Sequence, residues 1–141
     1  MRTEVFLDTS YAIALSVKND DFHEQAARLA DLLQVAGTRL VTTQAVLLEI
    51  GNALSRQRYR RAAVVLLNAL ETDSKVEIVS LSEQLYTQAF QLYYQRLDKE
   101  WGLVDCISFI VMQERGITEA LTADEHFQQA GFRVLLRESL P

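Results

Sequence analysis

Glu4-Val5-Phe6-Leu7-Asp8-Thr9-Ser10 begins with a short apolar run that leads straight into an acid, and far along the chain Glu119-Ala120-Leu121-Thr122-Ala123-Asp124 repeats the arrangement. Apolar runs of this length, each followed by a longer helical pattern, are the sequence form of buried parallel strands. Outward from these two, further strands are expected at 39–42, 76–80 and 132–136, which makes about five. Strands alternating with helices predict an α/β fold.

Helical spacing is clearest at Phe22, Ala26, Leu29 and Leu33, and again at Leu85, Ala89, Leu92 and Tyr93, where apolar residues recur three and four apart. Gly37, Gly116 and Gly131 each follow a helical stretch, where a left-handed residue often closes a helix, and Thr43 and Ser82 stand where N-caps belong. Between Gln44 and Glu71 the pattern predicts two helices with a break near 57–59, an αα-hairpin projecting between the second and third strands.

The 141 residues suit one domain, 1–141, with 49% hydrophobic residues and a lone proline at the end. A single cysteine, Cys106, excludes an internal disulfide and leaves no Cys/His cluster of zinc spacing, so a reducing, cytoplasmic setting is expected. No apolar run approaches the ~18 residues that a membrane span requires, so no membrane is expected among the partners. A net charge of −5 argues against binding nucleic acid through a broad basic surface. Acids gathered around metal ions, however, count as negative in the sequence and are neutralised when the ions bind.

Asp8 and Asp124 are expected at the carboxyl ends of parallel strands, the edge where open α/β sheets bind ligands. Asp105 opens the apolar segment 106–112 and falls in the first turn of a helix, while Glu49 sits between Leu48 and Ile50 inside another. Any one aspartate could be a helix cap. Glu49 is harder to dismiss, because Asn52 three residues on gives an otherwise apolar helix a polar stripe. Carboxylates crowded together raise one another's pKa and lose hydration, a difficulty that a divalent cation removes. Oxygen donors suit Mg²⁺ or Mn²⁺, which polarise a phosphodiester and lower the pKa of bound water.

The ordered set of the 5–10 stretch, Leu48-Glu49-Ile50-Gly51-Asn52-Ala53-Leu54, Trp101-Gly102-Leu103-Val104-Asp105-Cys106 and Ala120-Leu121-Thr122-Ala123-Asp124-Glu125-His126-Phe127 resembles the PIN domain nucleases, in particular the VapC-type toxins of bacterial toxin–antitoxin pairs. The resemblance covers nearly the whole chain. It implies a three-layer α/β/α fold with a central parallel sheet, and a metal-binding catalytic cluster of Asp8, Glu49, Asp105 and Asp124 supported by Ser10 and Asn52. It also implies hydrolysis of RNA by metal-activated water to leave a 5′-phosphate and a 3′-hydroxyl, a homodimer, and a small antitoxin protein as partner. Gly102 and Val104 depart from the pattern, since relatives often carry Ser or Thr there.

Arg56, Arg58, Arg60 and Arg61, with Tyr59 among them, form the most basic stretch and could contact RNA phosphates or an acidic partner; a solvated hairpin tip is the alternative. Trp101 is expected to pack rather than stack on a base, Cys106 to be core, and Asp98 to be a surface acid; His126, two residues past Asp124, could reach the site but is expected to be an ordinary exposed or capping residue, since no second histidine or charge relay accompanies it. Three other functions compete. One is a PIN nuclease of RNA processing that is not a toxin. Another is a phosphotransferase or phosphatase with Asp8 as nucleophile, disfavoured because position 10 is serine where such enzymes usually place a second aspartate. The third is a binding module that a metal merely stabilises.

Overall fold

A computed structural model describes residues 4–139. The strands are β1 (Glu4–Leu7), β2 (Arg39–Thr43), β3 (Val76–Val79), β4 (Glu119–Leu121) and β5 (Arg133–Val134), all parallel, in the order β3-β2-β1-β4-β5. The helices among the described residues are α1 (Thr9–Ser16), α2 (His23–Ala36), α3 (Gln44–Ala53), α4 (Gln57–Thr72), α5 (Glu83–Gln95), α6 (Leu103–Arg115) and α7 (Glu125–Gln129), followed by a 3₁₀ turn at Leu135–Arg137. Together they form the expected three-layer α/β/α sandwich.

β1 is central because its side chains need cover on both faces: Val5, Phe6 and Leu7 are buried, as are Ala120 and Leu121 of β4 beside it. Helices α1 to α4 pack among themselves, α5 to α7 do likewise, and α3 meets α6 across the molecule. Phe109 anchors the second group, with the rings of Trp101 and Phe127 meeting it edge-on at 5.0 and 4.9 Å.

The caps follow the sequence. Gly37 and Gly116 adopt left-handed φ of 66° and 67° at the ends of α2 and α6. Thr43 and Ser82 accept the backbone N–H groups of Val46 and Leu85.

Two boundaries differ from expectation by more than one residue. The hairpin break between α3 and α4 falls at 54–56, ahead of 57–59, because buried Leu54 ends α3 against the core and the arginine run then starts α4. The last strand is only two residues long. Leu135 and Leu136 turn inward as a 3₁₀ segment, with the Leu136 N–H donating to the Thr122 carbonyl.

Candidate active site

Sheet register builds the centre of the site. Leu7 pairs with Leu121, so the next residues, Asp8 and Thr122, leave the carboxyl ends of neighbouring strands side by side. The Asp8 N–H donates to the Leu121 carbonyl at 3.2 Å, and Thr122 Oγ1 donates to Asp8 Oδ2 at 2.7 Å. With its one proton committed to Asp8, Thr122 Oγ1 accepts from the Asp124 N–H at 3.0 Å and from Ser10 Oγ at 2.9 Å. Ser10 Oγ in turn accepts the Ala123 N–H at 2.9 Å. A single threonine thus locks the loop carrying Asp124 to the strand carrying Asp8.

Asp8 occupies the N-cap position of α1 yet makes no side-chain cap, since its carboxylate is turned to Thr122. Capping does describe part of what the other aspartates do. Asp124 Oδ1 accepts the His126 N–H at 2.9 Å at the start of α7, and Asp105 Oδ2 accepts the Gly102 N–H at 3.2 Å in the first turn of α6. Glu49, half-buried on α3, accepts Thr9 Oγ1 at 2.5 Å. Thr9, like Thr122, carried no sequence signal of its own.

The electrostatics tie the four acids into one field. Burial pushes the Asp8 carboxyl up to about 7; the Thr122 hydrogen bond opposes this, and the charges of Asp105 and Glu49 add to it. Burial also raises Asp105, with the charge of Asp124 reinforcing and the His126 contact opposing. Among the described residues no lysine or arginine forms an ion pair with any of the four.

Among the described residues the one ionisable side chain paired with Asp105 and Asp124 is His126, whose Nδ1 lies 3.0 Å from Asp105 Oδ2 and 3.4 Å from Asp124 Oδ1. One ligand atom each from Asp105, Asp124 and His126 falls within 4.8 Å of the others. His126 is thus not an ordinary exposed residue: it is half-buried against Asp105 and Asp124, the reach that its position two residues after Asp124 allows.

A hard divalent cation fits this donor set, which is rich in carboxylate oxygen and holds a buried acid lacking a countercharge among the described residues. The remaining candidates lie further out. Asn52 is exposed on α3, outside the hydrogen-bonded network. Arg56, Arg58, Arg60 and Arg61 are exposed at the hairpin tip, where Arg60 Nε donates to the Ser55 carbonyl and Arg58 stacks on Tyr59. Asp98 pairs with Arg96 and Lys99 on the surface, and Trp101 and Cys106 are buried. At Gly102 a side chain would meet open space, so the missing hydroxyl is not excluded by packing.

The PIN domain family profile matches residues 5–133 of this chain. The chain belongs to the PIN domain family. It is 33% identical over 129 residues to the 23S rRNA-specific endonuclease VapC20 of Mycobacterium tuberculosis, spanning 91% of this chain and 95% of that protein. The crystal structure of M. tuberculosis VapC20, described as a Sarcin-Ricin loop cleaving toxin, superposes with a TM-score of 0.80 at 31% identity, again over 91% and 95% of the two chains. VapBC2 from Rickettsia felis, solved with a DNA fragment from its promoter, shares the fold with a TM-score of 0.66 at 16% identity, over 93% of this chain and 96% of that one. PIN domain membership accounts for the three-layer fold, and the β1–β4 register sets Asp8 beside the loop that carries Asp124; of the four acids only Asp105 and Asp124 come within 4.8 Å of one another as a ligand group, together with His126.

Proposed function

We propose that this PIN domain is the endoribonuclease toxin of a toxin–antitoxin pair, hydrolysing RNA phosphodiester bonds with Mg²⁺ or Mn²⁺ held by Asp8, Asp105, Glu49 and Asp124. The supporting observation is Asp8, a residue only 4% exposed, next to other acids and with no lysine or arginine among the described residues paired to it. A bound divalent ion supplies Lewis acidity toward the phosphoryl group and acidifies an attacking water. The residues of the chain do the positioning. Thr122 fixes one oxygen of Asp8 and Thr9 fixes one oxygen of Glu49, so each acid presents its other oxygen in a set direction. Ser10 supports Thr122, and Asn52 is assigned to substrate because it is exposed one turn along α3 from Glu49.

The RNA backbone would lie along this edge of the sheet, with Arg56, Arg58, Arg60 and Arg61 available to phosphates. A structured ribosomal RNA loop is the substrate to test first, given the named target of the 33% identical relative. A small antitoxin and a second copy of the chain are the proposed protein partners, in the cytoplasm. For such contacts α5 offers an exposed aromatic face of Tyr86, Phe90, Tyr93 and Tyr94. No helix among the described residues is long and apolar enough to cross a membrane.

The test is cleavage of ribosomal RNA and of a mixed RNA pool by wild type and Asp8→Asn, with Mg²⁺, with Mn²⁺ and with chelator, and with product ends mapped. The expected result is ion-dependent cleavage leaving 5′-phosphate and 3′-hydroxyl ends, lost in Asp8→Asn. Cleavage by the variant at the wild-type rate would overturn the assignment. Ion-dependent stabilisation without any cleavage would favour the binding module.

A further inference from the structure

The four acids do not account for His126, whose ring stands against two of them. In a neutral imidazole Nδ1 either carries the proton or offers a lone pair. A lone pair 3.0 Å from a carboxylate oxygen is repulsive unless something positive lies between, either a proton or a metal ion. The spacing suits the ion as well as the proton. Donors ~2.1 Å from a shared octahedral ion lie about 3.0 Å apart along an edge, and Nδ1 lies 3.0 Å from Asp105 Oδ2 and 3.4 Å from Asp124 Oδ1. Backbone geometry commits the histidine to this place, because its own N–H caps onto Asp124 Oδ1 at 2.9 Å.

Resting on the reading of this site as a divalent-metal centre, we propose that His126 is itself a ligand, giving the Asp105–Asp124 side of the centre one nitrogen donor and a preference for Mn²⁺ over Mg²⁺. Imidazole suits transition-metal ions, whereas Mg²⁺ favours oxygen and gives up its waters reluctantly. Asp8 and Glu49, with hydroxyl partners and no histidine beside them among the described residues, form the side suited to Mg²⁺. The centre is therefore asymmetric, one half all oxygen and the other mixed. The side chains of His126, Asp105 and Asp124 are 26%, 15% and 33% exposed, which leaves the mixed half accessible from solvent.

The deciding experiment is electron paramagnetic resonance of Mn²⁺ added to the purified protein, with spin-echo modulation reporting a directly bound ¹⁴N. His126→Gln keeps the backbone N–H and removes the imidazole. The only other histidine, His23, is engaged with the Ala14 carbonyl. Nitrogen modulation is expected in the wild type and absent in His126→Gln, with Mn²⁺ affinity falling ~10-fold or more and Mg²⁺ affinity changing much less. Circular dichroism checks that the variant is folded. Mn²⁺ bound by the wild type without nitrogen modulation would overturn the ligand role and leave the acidic metal site standing, since a histidine that only orients Asp105 gives no such coupling. If the wild type binds no Mn²⁺ at all, the metal reading falls together with this one.

Discussion

The two ends of the sheet treat the same kind of side chain in opposite ways. At the amino ends of the strands, Glu4 and Glu77 share Arg115, and Glu119 meets Arg133, which also holds Glu138. Every one of these acids has a guanidinium, and the Arg115 hydrogen bond holds Glu77 below the usual carboxylate range. At the carboxyl ends, Asp8, Glu49, Asp105 and Asp124 have hydroxyls, backbone N–H groups and one histidine, and Asp8 is driven up to about 7. Helix α6 spans the contrast, with Asp105 in its first turn and Arg115 in its last. One end supplies its own positive charge. Under the proposed function the other receives it from a bound cation, which would separate a structural acid from a working one.

The most direct way to break this contrast is to give the working end the solution used at the other. Glu49→Lys places an ammonium near Asp8, whose carboxyl already feels the charge of Glu49. RNA cleavage should fall roughly 10²–10³-fold, the scale of losing one electrostatic contributor to a reaction centre. Stabilisation by Mg²⁺ should vanish, and the ion-free protein should be no less stable than wild type at pH 8. Cleavage assays and thermal melts with and without ion read all three. A Glu49→Lys protein that still cleaves and still gains stability from Mg²⁺ would show that the carboxylates need no countercharge.

Titration sharpens the same contrast, because the two ends should respond to pH with opposite signs. Asp8 is protonated in folded and unfolded chains below about pH 4. As pH rises toward 7 the unfolded chain releases this proton while the folded chain keeps it, so ion-free stability falls through the window. The full effect is about 4 kcal/mol and is complete above pH 7. Glu77, held low by Arg115, contributes stability at neutral pH that is lost as acid protonates it. Chelator-treated wild type should therefore lose stability from pH 5 to pH 8, and Asp8→Asn should flatten that slope. Stabilisation by the divalent ion should grow over the same range. Denaturant melts across pH measure it, and a wild-type slope unaffected by Asp8→Asn would refute the burial argument.

Local patterns in the sequence reach the acids but not what holds them. Asp8, Asp105, Asp124 and Glu49 are legible because each adjoins an apolar run whose period reveals a strand end or a helix. The strand positions, the caps at Thr43 and Ser82 and the buried Trp101 are legible for the same reason. Thr122 and Thr9 are not, since their partners lie 114 and 40 residues away and depend on β4 and α3 lying next to β1 and α1. His126 falls between these cases: its neighbour Asp124 is local, but its contact with Asp105 requires α6 and α7 to meet. The hairpin break is not legible to within a turn, because the arginine-rich run that follows Leu54 begins α4 rather than forming the loop.

The smallest expected effect belongs to the end that is already neutralised. Arg115 bonds Glu77 through two nitrogens and lies 3.9 Å from Glu4, but its side chain is 31% exposed and that of Glu77 43%. Exposed pairs are screened by water and cost side-chain entropy to hold, so Arg115→Ala should lower stability by no more than ~1 kcal/mol. Salt should reduce the loss further. Cleavage should stay at the wild-type level, because the acids of the site draw no charge from Arg115. Urea melts at low and high salt, paired with the RNA assay, test this. If removing Arg115 impaired cleavage as strongly as Glu49→Lys, the two ends would be one electrostatic system, and the division between structural and working carboxylates would have no physical basis.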